Sequence, residues 1–159
     1  MEQAFTGIGY DCHRFVKGRR LVLGGVEIEH DRGLDGHSDA DVVTHAIIDA
    51  LLGAAALGDL GQHFPDTDER YRDADSLELL RSTVEMLAQR GFTPVHVDAT
   101  VVLERPALAP HRDRIRAALA GTLGLAVERV NVKATRGEGM GFVGREEGAA
   151  ALAVATVTA

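Results

Sequence analysis

Extended segments outnumber helical ones in this chain of 159 residues. Alternating or β-branched apolar runs predict strands at 5–13, 21–28, 95–103, 130–135 and 149–157. The helical segments are too few to cover both faces of the sheet that these strands would form. We therefore predict an α+β fold, a two-layer sandwich in which a mixed β-sheet carries its helices on one face. The uncovered face would need burial against other copies of the chain, which favours an oligomer.

Apolar stripes with a spacing close to 3.6 residues predict three helices. The first should begin near Ser38 or Asp39, since either residue is a good N-cap, and it should end at Gly58. The second is predicted at 76–89 and the third at about 110–123. A loop at 59–73 would follow the first helix, and a loop of that length often has a functional role.

Composition excludes several classes of protein. No apolar run approaches the roughly 18–20 residues of a membrane span, and the N-terminus lacks the pattern of a signal peptide. Cys12 is the only cysteine, so no internal disulfide is expected and a reducing cytoplasm is the simplest location. A net charge of -7 without a basic stripe argues against nucleic-acid binding. We expect one domain that spans residues 1–159.

Two histidines and a carboxylate form a candidate metal site. Asp11 and His13 lie two residues apart on a predicted strand, so both side chains point the same way. His45 is the leading third ligand, because it lies one helical turn from both Asp41 and Asp49, either of which could orient its ring. This set is typical of catalytic zinc, and manganese or iron would also fit. The alternative, in which these are ordinary surface or core residues, stays open from spacing alone.

Polar residues near both ends of the first predicted helix suit an anionic, hydroxylated ligand. His37 and Ser38 lie where backbone N–H groups and the helix dipole favour an anion, although Ser38 could simply cap the helix. Asp59 beside Gly61 suits a diol, because a carboxylate accepts hydrogen bonds from hydroxyl groups and glycine allows close backbone approach. The segment 64–68 follows, and its alternative is a plain turn.

A glycine-rich stretch follows the strand predicted at 130–135. Residues 133–139 combine cations, a hydroxyl and an acid, so they could hold phosphates, with Glu138 on a hard cation such as Mg²⁺. The stretch matches neither of the common nucleotide-binding fingerprints. Glycine-rich turns after strands are frequent, so an ordinary turn is the alternative.

Taken together and in order, these segments resemble the 2-C-methyl-D-erythritol 2,4-cyclodiphosphate synthase family over nearly the whole chain. Each matching piece is weak alone, and the ordered set is highly specific. The pieces are Asp11–His13, Gly36–Asp41 with His45, Asp49–Ala55, Leu57–Gly61, Phe64–Asp68, Glu104–Pro106, Lys133–Thr135 and Gly141–Arg145.

The resemblance implies a lyase of the methylerythritol phosphate pathway of isoprenoid precursor synthesis. It would convert 4-diphosphocytidyl-2-C-methyl-D-erythritol 2-phosphate to 2-C-methyl-D-erythritol 2,4-cyclodiphosphate and release CMP. The family works as a homotrimer whose sheets face the threefold axis and whose active sites lie between adjacent subunits. Two alternatives are a metal-dependent phosphohydrolase and a non-catalytic trimer that binds prenyl diphosphates.

The resemblance also assigns roles to residues. The family positions that hold Zn²⁺ or another divalent transition metal match Asp11, His13 and His45. The position that meets a Mg²⁺ or Mn²⁺ ion on the substrate diphosphate matches Glu138. The catalytic positions match Asp59, Thr135 and Glu138. The substrate-binding positions match His37, Ser38, Asp59, Gly61, Phe64, Pro65, Asp66, Thr67, Asp68, Pro106, Leu108, Ala134, Thr135, Arg136, Phe142 and Arg145.

The chain departs from the family pattern at several positions. Arg136 stands where a hydroxyl residue is common, and Ala107 stands where a lysine is common near the nucleotide. Leu152 replaces an acid that some members carry near the threefold axis. Members often have an apolar axial cavity there that accepts isoprenoid diphosphates, with Phe142 and Arg145 at matching positions.

Overall fold

A computed structural model describes all 159 residues. The strands are β1 (Ala4–Lys17), β2 (Leu21–Leu23), β3 (Val26–Ile28), β4 (Arg32–Leu34), β5 (Thr93–Val102), β6 (Val130–Thr135) and β7 (Gly148–Thr158). The helices are α1 (Val42–Ala54), α2 (Leu60–His63), α3 (Ser76–Gln89), α4 (Arg112–Leu123) and α5 (Gly141–Gly144). Single 3-10 turns lie at Glu69–Tyr71, Ala109–His111 and Val127–Arg129.

The main sheet is mixed, as predicted. Its strand order is β4-β1-β7-β5-β6, and β5 with β6 is its parallel pair. The long strands β1 and β7 pair antiparallel from Ala4 opposite Thr158 to Arg14 opposite Gly148. The segment 21–28, predicted as one extended segment, is instead a separate hairpin of β2 and β3, because Gly24 and Gly25 both have positive φ and turn the chain. The strand β7 is the central strand of this sheet and lies between β1 and β5.

The helices cover one face of this sheet, which confirms the predicted two-layer α+β architecture. Side chains along β1 and β7 alternate between the core and the opposite face. That opposite face exposes large apolar side chains: Ile8 is 70% exposed, Tyr10 53%, Leu152 40% and Val154 41%. An exposed apolar strip of this kind often marks an interaction site.

Helix α1 lies directly on β1 because the strand presents glycines to it. Gly7 and Gly9 face the helix, and neither has room for a Cβ against the α1 backbone. Apolar residues of α1 such as Ile47 and Leu51 are fully buried between the sheet and the outer helices. This close packing sets the distance between the α1 side chains and the side chains that follow Gly9 on β1.

The predicted bounds of the first helix are wrong at both ends. The helix begins at Val42, since Asp41 is its N-cap and accepts a hydrogen bond from the Thr44 amide. It ends at Ala54, and Ala56 has a φ of 56°. The bounds of α3 are as predicted, and α4 ends where Gly124 takes a φ of 70°.

Several short elements were not predicted. The strand β4 pairs with the end of β1, from Phe15 opposite Leu34 to Lys17 opposite Arg32. The segment 59–73 contains α2 and a 3-10 turn rather than a continuous loop. None of the helices is both long and apolar enough to span a membrane.

Candidate metal centre

Asp11, His13 and His45 converge on one point, as the sequence predicts. Asp11 and His13 point from β1 toward the helices, and His45 points from the first turns of α1 toward the strand. The His13 Nε2 atom lies 2.8 Å from Asp11 Oδ2, and His45 Nδ1 lies 3.1 Å from the same oxygen. The two ring nitrogens are 3.4 Å apart. All three side chains can therefore reach one ion.

The spacing of the ligand atoms suits a tetrahedral cation. Zinc–ligand bonds of roughly 2.0–2.2 Å at tetrahedral angles place ligand atoms about 3.3–3.6 Å apart. The separation of the two ring nitrogens, 3.4 Å, lies in that range, and the two nitrogen–oxygen separations, 2.8 and 3.1 Å, are shorter. Two imidazoles and one carboxylate also leave a fourth position open, as catalytic zinc sites do.

The tautomer of His13 leaves a lone pair directed at the centre. Its Nδ1 atom lies 2.8 Å from the carbonyl oxygen of Asp35, which can only accept, so Nδ1 carries the proton. The Nε2 lone pair then faces a carboxylate oxygen of Asp11, and two electron-rich atoms at this distance need a proton or a cation between them. This pairing fits a metal ligand set.

Asp11 and the imidazoles stabilise one another's charged forms when a proton, rather than a metal ion, lies between them. Burial alone would raise the pKa of Asp11, but hydrogen bonds and charge from His13 and His45 outweigh it and lower the pKa to about 2. Burial would lower the pKa of His13, but the adjacent Asp11 carboxylate outweighs it and raises the pKa above its usual value. Asp11 is therefore ionised at neutral pH and ready to bind a cation.

Neither helix carboxylate orients His45, so that prediction is wrong. Asp41 is fully buried and accepts hydrogen bonds from the amides of Gly24, Gly25 and Thr44 and from the Thr44 hydroxyl. It holds the β2–β3 turn on the start of α1. Asp49 accepts the amide of Leu60 at 2.7 Å.

Serine hydroxyls occupy the other side of the His45 ring. The His45 Nε2 atom lies 2.8 Å from Ser76 Oγ and 3.2 Å from Ser38 Oγ. Ser38 was predicted near this site, but Ser76 was not, because it lies on a different helix. No periodic pattern could connect positions 45 and 76.

A cleft of about 480 Å³ opens in front of the three ligands. It brings together the ligands and most of the residues predicted to hold the phosphate and the diol. Its lining consists of Asp11, His13, Gly36, His37, Ser38, His45, Leu60, Gly61, Phe64, Pro65, Asp66 and Leu79.

Several predicted residues at the cleft have local partners. His37 Nε2 donates to the carbonyl oxygen of Asp68 at 2.9 Å, and the Asp68 carboxylate pairs with Arg70. Asp59 is exposed and caps α2 by accepting the amide of Gln62 at 3.0 Å. Thr67 is exposed beside this segment.

The predicted nucleotide residues form a separate cleft of about 180 Å³. It contains five of the predicted residues and shares no lining residue with the metal cleft. Its lining consists of Leu103, Glu104, Pro106, Ala107, Leu108, Ala109, Arg112, Ala134, Thr135 and Arg136. Glu138 follows on an exposed turn with a φ of 53°. Within one chain, these residues are not brought to the three metal ligands.

The predicted axial residues Phe142 and Arg145 line neither of the two clefts. Phe142 lines a cavity of about 250 Å³ with Cys12, His13 and Glu147, so His13 borders this cavity as well as the metal cleft. Arg145 forms an ion pair with Glu147 at 3.1 Å.

Sequence reasoning assigned no role to several residues that hold the site. Arg19 donates to the carbonyl oxygens of Gly36 and Ser38 at 3.1 and 2.7 Å and so braces one wall of the metal cleft. The Glu104 carboxylate accepts the amide of Gly137 at 2.6 Å and thereby holds the glycine-rich turn. Glu104 lies in a matched motif, which was a usable signal, whereas nothing in the sequence indicated Arg19.

The sequence model of the YgbB family matches residues 4–158. The chain belongs to this family. It is 62% identical over 151 residues to the 2-C-methyl-D-erythritol 2,4-cyclodiphosphate synthase of Salinibacter ruber, covering 95% of this chain and 96% of the relative. It is also 62% identical over 150 residues to the bifunctional enzyme IspD/IspF of Anaeromyxobacter dehalogenans, where the match covers 94% of this chain and 39% of the relative.

Solved structures give the same result. The chain matches the bifunctional IspDF of Campylobacter jejuni with a TM-score of 0.95 at 41% identity, over 99% of this chain and 43% of that one. It matches a CDP-bound 2C-methyl-D-erythritol-2,4-cyclodiphosphate synthase with a TM-score of 0.88 at 36% identity, over 96% of this chain and 99% of that one. These relatives confirm the predicted synthase family and its function as a lyase of isoprenoid precursor synthesis.

Proposed function

We propose that this chain forms the cyclic diphosphate from 4-diphosphocytidyl-2-C-methyl-D-erythritol 2-phosphate, with release of CMP, in the cytoplasm and as one catalytic domain over residues 1–159. The convergence of Asp11, His13 and His45 at one end of the cleft carries this proposal. In the reaction the 2-phosphate attacks the erythritol-bound phosphorus of the diphosphate, so the P–O bond to CMP breaks and CMP leaves. The substrate supplies its own nucleophile, so the protein has to position the reacting groups and offset their negative charge.

The three ligands would hold zinc or a similar divalent transition metal, and Glu138 would meet a Mg²⁺ or Mn²⁺ ion on the diphosphate. Bound divalent cations would polarise phosphoryl oxygens and offset the charge of the substrate. They would also reconcile a chain of net charge -7 with a polyanionic ligand.

Residues in the cleft and beside it would position the methylerythritol phosphate part of the substrate. Ser38 presents a hydroxyl next to the metal ligands, and His37 keeps its Nδ1 atom free because Nε2 donates to the loop. Asp59 and Gly61 lie at the start of α2, where the carboxylate would accept hydrogen bonds from the diol. Phe64, Pro65 and the residues through Asp68 would form the outer wall.

The cytidine part would bind between Pro106, Leu108, Ala134, Thr135 and Arg136. Two properties favour a site shared between subunits of a homotrimer. The nucleotide cleft and the metal cleft have no lining residue in common within one chain. The sheet also exposes an apolar strip that a neighbouring copy would bury. An isoprenoid diphosphate in the axial cavity, beside Phe142 and Arg145, would be an additional ligand of that trimer.

Phosphorus NMR of the reaction mixture tests this function directly. The purified protein with Zn²⁺ and Mg²⁺ should convert the substrate to a cyclic diphosphate and CMP in equal amounts. An open-chain phosphate product would instead support a metal-dependent phosphohydrolase. Unchanged substrate with tight prenyl diphosphate binding would support a non-catalytic trimer.

A further inference from the structure

The helix ligand His45 is connected to a carboxylate through a buried hydroxyl. Ser76, the first residue of α3, is fully buried, and its Oγ atom lies 2.8 Å from His45 Nε2. The same hydroxyl donates to the Oδ1 atom of Asp39. Three segments of the chain therefore meet in one row of hydrogen bonds: the loop before α1, the start of α3 and the first turns of α1.

The direction of these hydrogen bonds is determined by the groups themselves. An ionised carboxylate only accepts, so the Ser76 hydroxyl proton points to Asp39. The Ser76 oxygen can then only accept from the ring, which places the proton of His45 on Nε2. The Nδ1 atom is left with its lone pair, and that is the atom that faces Asp11 at 3.1 Å.

Asp39 is itself held rigidly. Its Oδ2 atom accepts the amide of Ser76 at 3.0 Å, and its Oδ1 atom accepts the amide of Asp41 at 3.1 Å. Its own amide donates to the carbonyl oxygen of Ala74 at 3.1 Å. The carboxylate cannot rotate away from Ser76 without giving up these bonds.

Ser38 is the competing partner of the same ring nitrogen, and it is the weaker one. Its oxygen lies 3.2 Å from His45 Nε2, against 2.8 Å for Ser76, and no carboxylate orients its hydroxyl. Ser38 also lines the cleft, where the proposed substrate would engage it. Ser76 does not line the cleft and would stay on the ring throughout the reaction.

We propose that Asp39 and Ser76 are positioning residues that fix the tautomer and ring orientation of His45 for metal binding. The inference rests on the metal site of the proposed function. Hydrogen-bond partners behind metal-bound histidines typically contribute about 10–100-fold to metal affinity. The hydrogen-bonded series Asp39–Ser76–His45, here called the relay, also links the metal site to the start of α3. A shift of that helix would therefore turn the His45 ring.

Zinc affinity of matched serine variants tests the relay. The affinity is measured by competition with a chromophoric chelator in the parent, Ser76→Ala and Ser38→Ala. Ser76→Ala should bind zinc about 10–100-fold more weakly, whereas Ser38→Ala should stay within about threefold. Ser76→Thr restores the hydroxyl and should recover most of the loss. Equal zinc affinity in the parent and Ser76→Ala, or an equal loss in both alanine variants, would overturn the relay.

The visible spectrum of the cobalt-substituted proteins separates orientation from a loss of fold. At saturating Co²⁺, a turned or re-tautomerised His45 should change the absorption of Ser76→Ala, while a merely less stable α3 would leave it unchanged. Asp39→Asn should weaken zinc binding in the same direction, and it decides the matter if Ser76→Ala does not fold. A parent protein that binds no zinc would refute the proposed metal site itself rather than the relay.

Discussion

A methyl group built on Gly9 would lie 1.9 Å from the carbonyl oxygen of Ala46. Gly9 precedes Asp11 by two residues on β1, and Ala46 follows His45 on α1. The same close approach that excludes a side chain at Gly9 therefore sets the distance between the strand ligands and the helix ligand.

Gly9→Ala should destabilise the protein and weaken the metal site together. The added methyl group meets backbone, which cannot rotate away, so α1 must move off the sheet at a cost of about 1–3 kcal/mol. Gly121→Ala is the matched control, because it lies in α4 and the new methyl group would have no atom of another element within 4 Å. It should stabilise by about 0.5–1 kcal/mol. Urea unfolding measures the stability of each variant, and a zinc titration measures its metal affinity. Equal stability and equal zinc affinity in Gly9→Ala and Gly121→Ala would contradict the close packing of α1 on β1.

Asp41→Ala should cost stability without loss of zinc affinity in the folded protein. The substitution leaves the amides of Gly24 and Gly25 and the groups of Thr44 without an acceptor, and we expect a loss of more than about 2 kcal/mol. Asp75→Ala removes the exposed N-cap of α3 and should cost only about 1 kcal/mol. Weaker zinc binding by fully folded Asp41→Ala would contradict this expectation and would indicate that Asp41 orients His45.

The bounds of α3 were predicted correctly and the start of α1 was not, and the difference shows what sequence patterns can predict. The bounds of α3 and β6 are as predicted, because their apolar spacing is regular and Gly91 follows α3. The start of α1 was misplaced because Ser38 and Asp39 are both good N-caps by type, yet their side chains interact with His45 and Ser76 instead.

The convergence of Asp11, His13 and His45 could be predicted because two of them share one face of a strand and the third lies on a helix face. The contacts that orient them could not. Ser76 meets Asp39 across 37 positions and Glu104 meets Gly137 across 33. Such contacts depend on how the elements pack, and no local pattern of residues encodes them.

Asp59→Ser should separate capping from substrate positioning. Serine keeps an acceptor for the amide of Gln62, so the stability should change by only a few tenths of a kcal/mol. The loss of the carboxylate should lower kcat/KM by about 100-fold if it positions the diol. Zinc content should remain that of the parent. Loss of zinc in this variant would place Asp59 at the metal instead.

Ile8→Glu should dissociate the proposed trimer. The new charge lies in the apolar strip opposite Val154, where burial against a neighbouring chain would leave it unpaired. Size-exclusion chromatography with light scattering should show monomers without turnover, and zinc should still bind with weakened affinity at most. Ala88→Glu places the same charge on the exposed side of α3 and should leave the trimer unchanged. A trimeric Ile8→Glu variant would argue for a different interface.

The zinc content of His45→Ala is the most direct test of the metal centre. The parent should purify with one zinc ion per chain, and His45→Ala should retain none after dialysis while it keeps its oligomeric state. His96→Ala, at an exposed histidine of β5, should keep the full zinc content. Zinc retained at one ion per chain in His45→Ala would contradict the convergence of Asp11, His13 and His45 on a single ion.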